Sequence, residues 1–338
     1  MARPPDDKKW IEAVINHREM PVPYNFMFSP LSLKIAEHRY GSPIADAILL
    51  PIRMISPKSI KPLYADPEIF GKTAVDEYGV VWSTSKIDRG LPIGPVLKQP
   101  SLSGYRFPEP GAPYRFEDIA SWCEKQKSHY RIIWIGDLWE RATFMRGMEN
   151  LLLDTVLHPE FVMDLLRGIA DYILGTMEIL FDRFEFEAIA LSDDYGTQKG
   201  MLIAPDLWRK FIKPLLKEIY GYAQKKGKKV FHHSCGNILP IIPDLIELGL
   251  DILHPIQPEA MDIFYLKKEF GMELCFCGGI STQDILVRAK PQKIREEVKR
   301  LKEMMGKGGG YILEPGITIQ ADVPPENLYA MIDEAMKL

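Results

Sequence analysis

From residue 131 to the end, short apolar runs alternate with longer amphipathic segments, and this alternation constrains the fold more than any other feature. The apolar runs predict strands at 131–137, 188–194, 251–257, 273–278 and 310–314, and one more that carries His233. Apolar residues at helical spacing predict helices at 144–157, 159–181, 205–225, 239–248, 261–270, 291–305 and 324–336. Successive strand–helix units imply parallel strands joined by right-handed crossovers. With two more strands from the first half, the chain would close a (β/α)8 TIM barrel, an α/β fold whose active site lies at the C-terminal ends of the strands.

The first 130 residues are less regular, with many prolines and only short helical or strand patterns. Ser29 and Pro30 predict the start of a helix within 28–40, because serine caps helices and proline suits their first turn. Residues 46–50 are a strand candidate that Pro51 would stop.

A small antiparallel excursion is predicted where residues 76–83 and 90–97 flank a turn rich in glycine and proline. Such a segment is either a lid over the site or a plain structural insertion. We therefore expect a single barrel domain over residues 1–338, in which residues 1–130 contain an irregular N-terminal extension and this β excursion.

Composition and charge exclude several classes of protein. A formal net charge of −4 offers no electrostatic footprint for nucleic acid. The longest apolar runs, such as 47–52, are far too short to span a bilayer, so no membrane partner is expected. The first residues lack an apolar signal region, and four cysteines in 338 residues do not make a disulfide scaffold. We expect a cytoplasmic protein with reduced thiols.

The motif His233-Ser234-Cys235 is the first candidate site. Alternate side chains of a strand share a face, so His233 and Cys235 point the same way and His232 the other. An imidazole and a thiolate side by side are ligands that Zn²⁺ takes in tetrahedral sites. The same two residues would also suit a half-buried histidine and a free core cysteine, which packs as a small hydrophobe.

The other strand ends supply further candidates for the same site. They are Asp137 with Trp139 and Glu140, Asp193 with Asp194 and Tyr195, His254 with Gln257, Cys277, and Glu314. His254 and Cys277 fall in the same layer as the His233 motif and offer nitrogen and sulfur ligands. Alternatively, His254 bonds a backbone carbonyl, Cys277 fills the interior, and the two aspartates cap the following turn. Trp139 and Tyr195 would form either an aromatic substrate wall or part of the core.

Five segments resemble the uroporphyrinogen decarboxylase superfamily. They are 192–198 (SDDYGTQ), 233–238 (HSCGNI), 249–257 (GLDILHPIQ), 276–283 (FCGGISTQ) and 324–328 (PPENL). The resemblance covers roughly residues 130–338 and implies a (β/α)8 barrel. Membership does not determine the chemistry, because the two main branches are metal-free porphyrinogen decarboxylases and zinc-dependent methyltransferases that exchange methyl groups with a corrinoid cofactor.

Three observations favour the methyltransferase branch. The decarboxylases carry an N-terminal Arg-Gln-Ala-Gly-Arg-Tyr-like motif that grips substrate carboxylates, and the nearest segment here, 37–41 (EHRYG), does not fit it. His233 and Cys235 match the start of the zinc motif of the methyltransferases. His254 stands on the next strand, where this branch places a further ligand.

One position departs from the best-known zinc pattern of the branch. Ile317 follows the dipeptide 315–316 (PG), where the methyl-coenzyme M-forming members have a cysteine, so transfer to coenzyme M is not expected. The site must then be completed by His254 together with Cys277, Glu314 or one of the aspartates of the SDDYGTQ segment. Mixed His/Cys/Glu ligation is typical of members that demethylate methoxylated aromatic compounds, so a corrinoid-dependent O-demethylase is the branch that the chain resembles most.

The resemblance thus implies a zinc-dependent methyltransferase that passes the methyl group of a small-molecule donor to cob(I)alamin on a separate corrinoid protein. A methoxylated aromatic compound is the donor that the resemblance favours, and methanol, methylamines and methyl halides also fall within the range of the family. The implied roles are metal binding by His233, Cys235 and His254 with Cys277 as a further metal candidate, catalysis by Asp193 and Asp194, and substrate contacts from Trp139, Tyr195 and Gln257. Arg141 or Arg146 would pair with a substrate carboxylate. The alternative is a metal-free decarboxylase. Barrels of this superfamily often pair, but no segment of the sequence marks a self-complementary face, so a homodimer and a monomer are both open.

Overall fold

The computed structural model describes residues 3–338. The helices are α1 (Asp7–Ile15), α2 (Pro30–Tyr40), α3 (Ile44–Ala47), α4 (Pro67–Phe70), α5 (Ile119–Lys125), α6 (Trp139–Arg146), α7 (Met148–Leu157), α8 (Pro159–Arg183), α9 (Pro205–Phe211), α10 (Lys213–Lys225), α11 (Ile242–Glu247), α12 (Ile263–Phe270), α13 (Ile285–Arg288), α14 (Pro291–Met305) and α15 (Pro325–Ala335). The strands are β1 (Ile52–Ile55), β2 (Thr73–Val75), β3 (Val81–Ser83), β4 (Pro92–Gly94), β5 (Tyr130–Gly136), β6 (Ala188–Ser192), β7 (Lys229–His233), β8 (Ile252–Ile256), β9 (Cys275–Ile280) and β10 (Tyr311–Pro315). None of the helices in this described range is both long enough and apolar enough to cross a membrane.

Seven strands form one parallel sheet in the order β1-β5-β6-β7-β8-β9-β10, with helices between consecutive strands. The segment before β1 lies beside the opposite edge, because Tyr24 bridges Leu313 in parallel and the Leu313 amide donates to Pro23 O at 2.9 Å. The sheet therefore curls toward a barrel. The predicted parallel α/β architecture is confirmed. Within residues 3–338, the six strands predicted from residue 131 onward are all present, and β1 is a seventh. Isolated bridges from residues 24 and 28 stand where an eighth strand would close the barrel.

Helix α1 fills the inside of the curled sheet from the amino ends of its strands. Trp10 and Val14 are buried in one cluster with Phe231 and Ile312, which project inward from β7 and β10. The carbonyl of Val14 accepts from the amide of Gly310, just before β10 begins, at 2.9 Å. The amino end of the sheet is therefore closed, and the carboxyl end is left for a site. No pattern recognised in the sequence predicted this helix.

The strand predicted at 46–50 is wrong. Helix α3 occupies this place, and β1 begins at Ile52, directly after Pro51. Proline cannot donate to a strand ladder, but it can precede one. The carbonyl of Pro51 accepts from the amide of Tyr130 at 3.0 Å, so this residue starts the pairing with β5 instead of stopping a strand.

Two helices that were predicted as single elements are each divided. Gly147, with φ of 85°, separates α6 from α7 within the helix predicted at 144–157. Ile212 separates α9 from α10 within the helix predicted at 205–225. Pro214 explains the second break, because it has no N–H to bond a carbonyl of the preceding turn.

Strands β2, β3 and β4 form a separate antiparallel sheet. Trp82 of β3 is buried and donates through Nε1 to Asp76 Oδ2 at 2.9 Å. Arg141 of α6 donates to the same oxygen at 2.7 Å. Since α6 follows the carboxyl end of β5, this buried ion pair fastens the small sheet to the end of the main sheet that carries the candidate site.

Candidate active site

Most of the candidate side chains lie at or near the carboxyl ends of five neighbouring strands. Asp193 and Asp194 follow β6, His233 ends β7 with Cys235 two residues beyond it, His254 lies in β8 and is followed by Gln257, Cys277 lies in β9, and Glu314 in β10. The parallel register aligns Ser192 with His233 and His233 with His254. Neighbouring strands therefore present these groups side by side.

Asp194, His233 and Cys235 form the outer cluster, and all three are half-buried. The Cys235 Sγ lies 3.4 Å from His233 Nε2, and the same nitrogen lies 3.4 Å from Asp194 Oδ1. The backbone amide of Cys235 donates to Asp194 Oδ1 at 2.8 Å. The prediction that His233 and Cys235 share a face is confirmed, and the structure adds a carboxylate to them.

Gly236 explains how the outer cluster is held together. Its φ is 83°, and a Cβ at this position would come within 2.3 Å of the carbonyl carbon of Gly196. Only glycine therefore lets the turn after β7 pack directly on the turn after β6. The amide of Asn237 donates to Thr197 O at 2.7 Å across the same contact, which fixes Cys235 beside Asp194.

His254, Cys277 and Glu314 form the inner cluster, which is fully buried. The Cys277 thiol donates to Glu314 Oε2 at 3.0 Å, and the Asn25 amide lies 3.1 Å from both carboxylate oxygens. His254 Nε2 lies 3.8 Å from Glu314 Oε2 and has no hydrogen-bond partner among the described residues. The two clusters meet where His233 Nδ1 and His254 Nδ1 lie 2.9 Å apart.

Burial and charge act differently on the two clusters. Burial opposes ionisation of Asp194, but hydrogen bonding to His233 and its charge lower the Asp194 pKa to about 2. Burial likewise opposes the charged form of His233, and its bonds to Asp194 and Cys235 raise its pKa to about 10. In the inner cluster, burial lowers the pKa of His254, raises that of Glu314 to about 7 and raises that of Cys277. The outer cluster therefore stabilises a positive charge, and the inner cluster favours neutral groups.

The outer cluster fits a zinc ion. It offers sulfur, nitrogen and oxygen donors, the types that Zn²⁺ takes, and tetrahedral ligands at zinc distances stand about 3.3–3.8 Å apart. The 3.4 Å separations of Cys235 Sγ and Asp194 Oδ1 from His233 Nε2 lie in this range. The inner cluster is a poorer fit, because Cys277 uses its thiol proton to bond Glu314, whereas a metal ligand is the thiolate.

Asp193 is fully buried, and its carboxylate accepts hydrogen bonds from backbone amides. Its Oδ1 accepts from the amides of Leu138 and Glu140 at 3.0 and 2.8 Å, and its Oδ2 accepts from the Tyr195 hydroxyl at 2.9 Å. Burial raises the pKa of this carboxyl well above its ordinary value. Asp193 therefore fastens the start of α6 to the end of β6. Trp139, on the same turn, is also fully buried, as is Tyr195.

Gln257 bridges the turns that follow three strands. Its Oε1 accepts from the amide of Gly236 at 2.7 Å, and its Nε2 donates to Gly316 O at 2.8 Å. The same nitrogen lies 3.7 Å from Cys235 Sγ. This side chain is placed to hold the sulfur in position.

Two residues of the site were not predicted from the sequence. Asn25 binds Glu314 from the N-terminal segment, and Arg89, from the loop between β3 and β4, donates to Glu140 Oε1 at 2.8 Å. Neither has a neighbouring motif that signals its role. Arg141 and Arg146, the guanidinium groups put forward from the sequence, are engaged by carboxylates of the chain: Asp76 and Asp137 bind the first, and Asp154 binds the second.

We compared the chain with models of known protein families. The family model "Uroporphyrinogen decarboxylase (URO-D)" matches residues 127–338. The chain belongs to this family. The predicted resemblance is therefore confirmed, and the match covers every member of both clusters.

The relatives of this URO-D family chain carry two different names. A uroporphyrinogen decarboxylase of Psychromonas ingrahamii is 23% identical over 267 residues, which are 72% of each chain. One of Saccharophagus degradans is 26% identical over 211 residues, 58% of this chain and 56% of that one. Among solved structures, a methyltransferase from Methanosarcina mazei superposes with a TM-score of 0.70 over 98% of both chains at 18% identity. At that identity, the superposition establishes a shared fold.

Proposed function

We propose that this protein is a zinc-dependent methyltransferase. It removes the methyl group of a small donor, a methoxylated aromatic compound, and transfers it to cob(I)alamin on a separate corrinoid protein. The observation that carries the proposal is the outer cluster, in which a thiol, an imidazole and a carboxylate converge at the spacing of zinc ligands. A metal-free decarboxylase has no evident need for a thiol beside an imidazole at the end of its strands.

In this proposal, His233, Cys235 and Asp194 hold the metal. When bound, zinc supplies a Lewis acid for the donor's ether oxygen, where negative charge develops as the methyl group leaves. Gln257 keeps the sulfur in place, and Asp193 keeps the turn after β6 in place. The buried Trp139 and Tyr195 support these turns from behind.

Arg89 is the proposed partner for a donor that carries a carboxylate. Its side chain is half-exposed, lies on the loop between β3 and β4, and reaches Glu140 at the start of α6. It also lies within electrostatic reach of Asp194. A half-exposed guanidinium on this loop can bind a carboxylate through charge-assisted hydrogen bonds. The small antiparallel sheet would then contribute to substrate binding instead of being a plain insertion.

The alternative is a metal-free decarboxylase, and the curated relatives named above favour it. A substrate with many carboxylates needs several guanidinium groups that are free to bind it. Arg141 and Arg146 form ion pairs with carboxylates of the chain itself, and Arg89 forms one with Glu140. This arrangement supports the methyltransferase over the decarboxylase.

The test begins with the zinc content of protein purified without a chelator or a metal-affinity tag. We expect about one zinc per chain, lost in Cys235→Ala and kept in Cys123→Ala, where a buried cysteine far from the site is removed. Transfer is then followed as methylation of cob(I)alamin with methoxybenzoates as donors. Protein that stays folded, takes up no zinc and decarboxylates a porphyrinogen would contradict the proposal and support the alternative.

A further inference from the structure

The contact between the two clusters restricts where protons can lie. His233 Nδ1 and His254 Nδ1 are 2.9 Å apart, which is a hydrogen-bond distance. A neutral imidazole has one N–H donor and one acceptor nitrogen. One Nδ1 must therefore carry a proton and the other must accept it, so the tautomers of the two rings are coupled.

A metal on His233 determines both tautomers. Cys235 and Asp194 converge on His233 Nε2, so this nitrogen would bind the ion through its lone pair. The proton of His233 then lies on Nδ1 and is donated to Nδ1 of His254. The proton of His254 must in turn lie on its own Nε2, which leaves no lone pair there for a metal.

The inner cluster is arranged to receive that second proton. His254 is fully buried, and its Nε2 has no hydrogen-bond partner within residues 3–338. Glu314 Oε2 lies 3.8 Å from this nitrogen, so a shift of about 1 Å would bring the two atoms to hydrogen-bond distance. Asn25 and Cys277 hold the carboxylate from its other sides.

We propose that His254 and Glu314 are positioning residues that act through His233 and are not metal ligands. The order of contacts is metal site, His233, His254, Glu314. A carboxylate behind a metal-bound histidine fixes its ring and raises its basicity, and here a second imidazole transmits that effect. Cys277 then serves as a hydrogen-bond donor to Glu314. This inference rests on the proposed zinc site, and it reassigns His254 and Cys277 from the ligand set that the sequence suggested.

The test is a double-mutant cycle on zinc affinity, measured by competition with a chromophoric chelator. His254→Phe keeps a buried ring and removes both nitrogens, and Glu314→Gln is nearly isosteric. Loss of an outer partner typically weakens metal binding about 10–100-fold, so we expect each single variant to fall in this range. Because Glu314 acts through His254, Glu314→Gln should have no further effect in the His254→Phe background.

The absorption spectrum of the Co²⁺-substituted protein reports the ligand set independently of activity. The spectrum, including the thiolate band from Cys235, should be unchanged in both variants. An altered coordination spectrum in His254→Phe would make His254 a ligand and overturn the proposal. Unchanged zinc affinity in the single variants, or equal effects of Glu314→Gln in both backgrounds, would overturn it as well.

Tyr311→Phe is the matched control for buried changes near the inner cluster. Tyr311 lies on β10 with Glu314, is buried, and donates to Gly278 O at 2.8 Å. This variant should lose stability without losing zinc affinity. Zinc binding by the wild type is measured first. If it is absent, both the function and this inference fail, whereas a wild type that binds one zinc isolates the inference for the variants to decide.

Discussion

Replacing Asp193 with alanine tests how the strand ends are held in place. The fully buried carboxylate accepts from the amides of Leu138 and Glu140 at 3.0 and 2.8 Å and from the Tyr195 hydroxyl at 2.9 Å. Alanine leaves these three donors without their partner. An unsatisfied buried donor costs about 1–3 kcal/mol, and relaxation around the smaller side chain reduces the sum, so we expect a loss of about 3–5 kcal/mol in the free energy of unfolding.

Asp193→Asn is the matched control, because its amide oxygen can still accept from both backbone amides and its NH₂ can donate to Tyr195. We expect this variant to lose less than about 1 kcal/mol. The assay is urea unfolding followed by circular dichroism, with a chelator present so that metal binding does not contribute. The reasoning is refuted if the alanine variant is as stable as the wild type, or if the two variants lose the same free energy.

Two further predictions concern the loop that carries Arg89, near the carboxyl ends of the strands, and helix α1, at their amino ends. Arg89→Ala should raise the KM for a methoxybenzoate about 10–100-fold, since a hydrogen bond to a charged group contributes about 1.5–3 kcal/mol, and should leave turnover of a neutral methoxyphenol unchanged. Lys86→Ala, on the same loop, is the control and should change neither value. If Arg89→Ala affected the methoxybenzoate and the methoxyphenol equally, Arg89 would not bind the carboxylate of the donor. Trp10→Ala should lower the free energy of unfolding by about 3–5 kcal/mol in thermal or urea unfolding. Trp122 is only half-buried, so Trp122→Ala should lower the free energy of unfolding by clearly less than Trp10→Ala does.

The outer cluster was accessible to sequence reasoning because its geometry is local. His233 and Cys235 stand two residues apart at a strand end, and the period of a strand places them on one face. Asp194 follows the neighbouring strand at the same level, as parallel strands require. The positions of these three residues depend on periodicity and strand order, both of which an apolar pattern encodes.

The remaining parts of the site depend on packing between distant segments. Arg89 reaches Glu140 only because the small sheet is fixed by the buried pair of Asp76 with Arg141. His254 Nε2 lies near Glu314, and the His254 ring contacts the rings of Phe231 and His233. Neighbouring residues in the chain carry no signal for either.

Division of the predicted helices illustrates the same limit at the level of the fold. A helical period persists through Gly147 and Ile212, so it predicts one helix where the chain bends into two. Pro214 was a readable signal for the second break. Helix α1 was missed because its apolar residues contact the inside of a sheet that is built from later parts of the chain.

The bond between Asn25 and Glu314 joins positions that are 289 residues apart, and this separation sets the order in which the centre can assemble. On a ribosome, residue 25 emerges early, but its carboxylate partner belongs to the last strand and is synthesised near the end. Contacts of such long range form late, because the closure entropy of the loop must be overcome first. Asp194, His233 and Cys235 are all translated before Glu314 exists. A nascent chain would therefore expose its metal donors to the surrounding solution before the buried support behind them has formed.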